Sequence, residues 1–148
     1  LAQRRKLDAE AKANFENAKI ALEKAVELNP DNLAALFNLG LTLTDLQDFE
    51  GAAKTFERAV ALKKDWLPAL NELGIAYRKL GRLDDAIKQF SRVVELNDKF
   101  AAGYYNLGEA LYRNRKTNDA KKIVDKLKPL NLGLAQQLEL MIAQPKSR

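Results

Sequence analysis

Catalytic chemistry has few residues to draw on in this chain. There is no His and no Cys, and Ser occurs only as Ser91 and Ser147. The Ser/His and Cys/His pairs that activate a nucleophile are therefore excluded, and the commonest general base and metal ligand is missing. Asp84-Asp85 is a pair of adjacent carboxylates, which would suit acid/base work if both faced one substrate. The pair also opens an amphipathic stretch, and carboxylates at a helix start are favoured by the positive end of the helix dipole. That second role is the expected one. No GxxxxGK[ST] or GxGxxG phosphate loop occurs, so no nucleotide, cofactor or metal is indicated. The expectation is a non-catalytic chain whose chemistry is recognition.

Charge is the next resource. The net charge of +5 is unevenly placed: residues 1–100 hold 16 basic and 16 acidic side chains, and residues 101–148 hold nine against four. Arg113, Arg115, Lys116, Lys121, Lys122, Lys126 and Lys128 follow one another with only Asp119 and Asp125 opposing. Such runs are ordinarily solvated faces; the sharper reading is a surface that meets an acidic partner or a membrane. Nucleic-acid binding would need the basic groups on the recognition face itself.

The elements that carry these residues repeat. Leu39-Gly40, Leu73-Gly74 and Leu107-Gly108 recur every 34 residues, as do Ala52, Ala86 and Ala120; Phe56 and Phe90 keep the interval, with Val124 third. Within residues 67–100, Leu70, Leu73, Gly74, Tyr77 and Leu80 fall on one helix face, and Ala86, Phe90, Val93 and Val94 on a second. Gly74 costs about 1 kcal/mol of helix propensity, which close approach of the second helix, with Ala86 facing it, would justify. Gly81 suits a left-handed helix cap between the two. A period of this size, one helical hairpin per unit, means a stacked array in which each hairpin depends on its neighbours.

This order of Leu-Gly, Tyr, Gly, Ala, Phe and a small apolar residue resembles the tetratricopeptide repeat (TPR). Leu36, Leu39, Gly40, Leu43, Ala52, Phe56 and Ala59 fit it in one unit, and Tyr104, Leu107, Gly108, Leu111 and Ala120 in another. The closing Pro of a unit appears as Pro30, but Lys64 and Asp98 stand in its later places. The resemblance implies an all-α fold, a right-handed superhelical solenoid of antiparallel helix pairs, whose first helices line a concave groove. It implies a non-catalytic protein-interaction scaffold that binds a peptide segment or a partner helix. Taking the face opposite each Leu-Gly stripe, the groove residues are Phe37, Asn38 and Leu41; Asn71, Glu72, Ile75 and Arg78; and Tyr105, Asn106, Glu109, Tyr112 and Arg113. Phe37, Tyr105 and Tyr112 would be apolar anchors, the Asn amides would bond a ligand backbone, and the charged residues would select ligand charge. Leu41 and Ile75 are open between ligand contact and packing among first helices.

The carboxylate clamp by which related cochaperones hold an acidic chaperone tail needs Lys, Arg and Asn on consecutive first helices. Its places here read Gln3, Leu7, Asn38, Pro68 and Glu72, or one unit later Phe37, Leu41, Glu72, Ala102 and Asn106. No such clamp is expected. An RNA-binding helical array is the alternative, disfavoured by Asp45, Glu72 and Glu109 on the groove face, and an accessory domain cut from a larger enzyme or assembly factor is another.

The division expected is a degenerate first repeat over residues 1–32, then repeats over 33–66, 67–100 and 101–131, a capping helix over 132–143 and a frayed tail over 144–148. The first repeat has Arg5-Lys6 in place of Leu-Gly, yet Phe15, Ala18 and Leu22 keep register, which favours a hairpin with a turn before Phe15 over one long helix. Asp31 or Asn32 caps the second repeat, Pro129 ends a helix, and Asn131 starts the capping helix, which lies on Ile123, Val124 and Leu127. Gly103 is expected to tolerate Ala if it lies near the start of its helix. A content of 47% hydrophobic residues with four Pro suits one folded domain. No apolar run approaches the roughly 20 residues of a membrane span, and LAQRRKLDAEAK lacks a signal-peptide core. The chain starts at Leu1 and its only Met is Met141, so a fragment or processed product is expected. The cytosol is favoured, an oxidising compartment is compatible with the absence of Cys, and the oligomeric state is open.

Overall fold

The computed structural model describes residues 1–144, and the part of the expected tail beyond Gln144 lies outside the described residues. Helices occupy α1 Ala2–Leu28, α2 Leu33–Asp45, α3 Phe49–Leu62, α4 Leu67–Lys79, α5 Leu83–Leu96, α6 Ala101–Arg113, α7 Thr117–Leu127 and α8 Leu132–Ala143. They fall into two compact units, Leu1–Ala76 and the part from Tyr77 onward.

In the first unit α1 packs on α2, and α2 folds back on α3 as a hairpin. Asn32 caps α2 by accepting from the Ala35 amide at 3.0 Å, and Asp48 caps α3 by accepting from Gly51 at 2.9 Å. Both satisfy amides that an open helix end leaves orphaned. Leu36, Ala52, Phe56 and Ala59 are fully buried. The Phe56 ring occupies the space over Gly40, where an added Cβ would come within 2.5 Å of it. The Leu-Gly element therefore makes room for a phenyl ring here.

The hairpin expected within residues 1–28 does not form: α1 is one continuous helix of 27 residues. The reason lies at the turn. Between first and second helices the chain passes through positive φ at Gln47 (61°), Gly81 (76°) and Arg115 (62°), each 34 residues from the next. One further step back is Ala13, the best helix former, for which the left-handed region costs about 1–2 kcal/mol. Arg5-Lys6 also removes the glycine contact that would hold a first helix down. Residues 1–14 are exposed, and Ala18 and Leu22 are only half-buried, whereas their counterparts Ala52 and Phe56 are fully buried.

Each positive-φ residue sits in the same double bond pattern. Asp48 donates to Leu43 and Gln47 to Thr44; Arg82 to Tyr77 and Gly81 to Arg78; Lys116 to Leu111 and Arg115 to Tyr112. These are Schellman caps, which satisfy the last carbonyls of a helix and turn the chain.

In the second unit α5 packs on α6, α6 on α7, and α8 on both α6 and α7. Gly103 is buried in α6, and a Cβ there would lie 2.9 Å from Val93 Cγ1 and 2.8 Å from Phe100 Cδ1. The expected tolerance of Ala at Gly103 is therefore corrected: α5 and α6 touch at that point. Helix α7 has 11 residues where α3 and α5 have 14. Proline cannot continue a helix, and Pro129 follows directly on the C-cap residue Lys128. Asn131 then caps α8, accepting from Leu134 at 3.0 Å. Val124, Leu127, Ala135 and Leu138 form one buried cluster, with Ile123, Leu134, Met141 and Ile142 against it. Val124 is smaller than the Phe of the matching positions, and Leu138 of α8 reaches the space over Gly108.

Two outcomes are expected. Gln47→Gly and Arg115→Gly should each raise stability in urea melts by a few tenths to about 1 kcal/mol, because glycine avoids the left-handed penalty at some cost in chain entropy. A chain truncated after Asn131 should expose Val124 and Leu127, melt at lower temperature and self-associate in sedimentation. An unchanged monomer with an unchanged melt would show that α8 contributes nothing.

Candidate binding site

In the first unit, Asn38 is exposed on α2; its carbonyl accepts from Thr42 Oγ1 at 2.9 Å, while its side-chain amide makes no hydrogen bond among the described residues. Phe37 is half-buried and already engaged. Its ring lies 5.8 Å from Phe56 in an edge contact and 5.0 Å from Trp66, so it forms part of a wall more than a free anchor. Leu41 and Ile75 are half-buried, as are Asn71 and Glu72, and Asn71 Nδ2 donates to Glu72 Oε1 at 3.5 Å. Burial raises the Glu72 carboxyl above its ordinary value, with the Asn71 bond opposing.

In the second unit the residues converge more tightly. Glu109 is 6% exposed and holds two guanidiniums. Arg78 Nη1, from the last turn of α4, donates to its Oε2, and Arg113 Nε and Nη2, one turn along α6, donate to its Oε1 at 2.8 Å. Burying a carboxylate is costly unless it is paired and hydrogen-bonded, and both conditions are met. Glu109 is thus occupied within the fold and is not a free selector of ligand charge. Lys79 joins these three around a cavity of about 260 Å³.

Tyr105 and Tyr112 are half-buried. With Arg113 and with Gln137, Leu140, Met141 and Gln144 from the α8 end, they line an open cavity of about 560 Å³. The Tyr112 hydroxyl donates to the Gln144 carbonyl at 3.3 Å, and Tyr105 packs partly on the Val124–Leu138 cluster. Asn106 is half-buried on the same helix. The contribution of α8 was missed from sequence. Its signal was Leu140, which falls off the Leu134, Leu138, Met141 and Ile142 stripe and is 67% exposed, apolar where the outer face of a cap should be polar.

Asp84, one of the adjacent carboxylates, lies in the first turn of α5. It accepts from Asn114 Nδ2 at 2.8 Å and from Lys116 Nζ at 3.3 Å. The Asn114 bond first, then Lys116, lowers its carboxyl below the ordinary value. It tethers the α6–α7 turn. Lys122 and Lys128 of the basic run pair within α7 and its end with Asp119 and Asp125.

Paired helices of fixed period, joined by recurring Schellman turns and closed over glycine by a large side chain, define a helical-hairpin repeat protein. A family profile described as "Tetratricopeptide repeat" matches residues 7–65, and one described as "TPR repeat" matches residues 74–114. The chain belongs to the tetratricopeptide repeat family, with the all-α solenoid fold of that class. Members are generally non-catalytic scaffolds. No curated protein matches at significant similarity. Among solved structures, a crystal structure of MamA is similar at TM-score 0.83 and 25% identity, over 91% of this chain and 80% of that one. YrrB, described as a TPR protein with an unusual peptide-binding site, is similar at 0.80 and 26%, over 88% and 68%. The second TPR domain of human RPAP3, solved with an HSP70 peptide, is similar at 0.67 and 19%, over 72% and 90%. No helix among the described residues is long and apolar enough to cross a membrane.

Replacing Glu109 with Ala should cost about 3–5 kcal/mol in urea melts, because it strands Arg78, whereas Arg113→Ala at an exposed position should cost under about 1. For Glu72 the sign follows from its raised carboxyl. The folded state holds the proton more tightly than the unfolded one, so the group's contribution is full below the unfolded value of 4.5 and is lost as pH rises through the folded value. Glu72→Gln should therefore gain stability relative to the parent on going from pH 4 to pH 7 in thermal melts; a constant difference would contradict the assignment.

Proposed function

We propose that this chain is a scaffold that binds an extended segment of another protein on the exposed faces of its first helices, the concave side in this family. The observation that carries the reading is the open cavity walled by Tyr105 and Tyr112. Aromatic rings left half-buried beside amides and charged groups are the usual makings of a peptide site. Asn38, with an uncommitted amide, offers a ligand backbone both donor and acceptor, and Asn71 and Asn106 are further candidates. Leu41 and Ile75 supply apolar contact in the first unit, Phe37 a supporting wall, and Glu72, Arg78 and Arg113 local charge. The likeness to YrrB, a peptide-binding TPR protein, supports a polypeptide ligand. A carboxylate-clamp ligand is not favoured, since its places hold Pro68 and Glu72.

The test is recovery of binding peptides on the intact chain, followed by titration. The double variant Asn38→Ala, Tyr105→Ala should weaken binding more than about tenfold while circular dichroism still reports a folded helical chain. Tyr105 packs partly on the core, so a lower melting temperature is expected and the assay is run well below it. The control, Lys122→Ala with Lys126→Ala on α7, should bind as the parent does. Loss in the control and not in the double variant would move the site to the basic face.

A further inference from the structure

Two guanidiniums, Arg78 of α4 and Arg113 of α6, converge on one side chain. One buried carboxylate, Glu109, serves both Arg78 and Arg113. Each guanidinium offers five N–H donors in a planar fork, so Glu109 uses the smaller part of what the pair can donate. It also fixes both forks in place before any ligand arrives, which lowers the ordering cost of binding. Arg113 is a wall shared by two cavities: the small one with Arg78 and Lys79, and the larger one with Tyr105, Tyr112, Leu140 and Met141. A cationic site therefore adjoins an apolar one.

We infer that this end of the chain takes an acidic linear segment of a partner protein, with an Asp or Glu carboxylate on Arg78 and Arg113 and a large apolar side chain in the cavity between Tyr105, Tyr112, Leu140 and Met141. The inference rests on the scaffold reading above and names its ligand. Carboxylates suit the forks because Arg pairs with them bidentately. A polyanion fits less well, since Glu109 stands inside the site and the adjoining cavity is walled by Leu140 and Met141. The residues differ from those of the carboxylate clamp and include α8.

A random 12-residue phage-displayed peptide library panned on the intact chain tests this. Enriched peptides should carry Asp or Glu within three positions of Phe, Trp, Leu or Met. Arg113→Gln and Leu140→Gln alter exposed side chains (Arg113 56%, Leu140 67%), and each should leave the melt nearly unchanged while weakening the enriched peptides about tenfold or more in fluorescence anisotropy. Changing the peptide acid to its amide should cost the parent a similar factor and the Arg113→Gln variant little, the coupling expected of a direct pair. Peptides without an acid, or peptides insensitive to both variants yet weakened by Asn38→Ala, would overturn the inference and leave the scaffold reading standing. No enriched peptide at all would overturn both.

Discussion

Helices of this length do not stand alone in water. Below about 12–15 residues even a good helix former is marginal, and α2 to α8 have 11 to 14. Each must lean on a neighbour, and how closely it can lean is set at a few points where one partner has no side chain. Phe56 over Gly40 is such a point, and Leu138 over Gly108 is another. The rest follows from that closeness: the hairpins need tight turns, the turns need a left-handed residue, and the outward faces are left for other work.

What was legible in the sequence was whatever recurs. The Leu-Gly register and the Ala and Phe places are each repeated, and repetition separates a constraint from an accident; the turn at Gly81 recurs only in backbone conformation, at Gln47 and Arg115. Caps were legible for a related reason, since Asn32 and Asn131 each act on an amide three residues away. Features that depend on the partner side chain were not. Phe37 reads as a groove aromatic until Trp66 and Phe56 are seen against it. Glu109 reads as a groove charge that selects among ligands until Arg78 arrives from another helix. The hairpin expected in residues 1–28 followed from the register of Phe15 and Ala18; it failed because the register of a second helix says nothing about the turn before it, and Ala13, a strong helix former, stands where the left-handed residue of a turn would have to fall.

The same distinction separates two kinds of charge. Lys122 and Lys128 pair with carboxylates three residues away on exposed surface, where such pairs contribute little. Arg78 and Glu109 are 31 residues apart and largely withdrawn from water. The basic run is prominent in the sequence, yet the buried charge is one acidic residue outside it, Glu109.

The shortened α7 can be described as a dislocation in a one-dimensional lattice. Three residues removed from a helix shorten it by about 4.5 Å and turn its end through about 60° relative to the unbroken repeat. Helix α8 therefore starts 31 residues after α6, three short of the 34-residue interval. Within this unit Leu138 rests over Gly108, and Leu140 faces outward beside Tyr105 and Tyr112. A ligand lying across α6 and α8 would meet a spacing that the 34-residue period does not set, so the break in the lattice is also a break in the code.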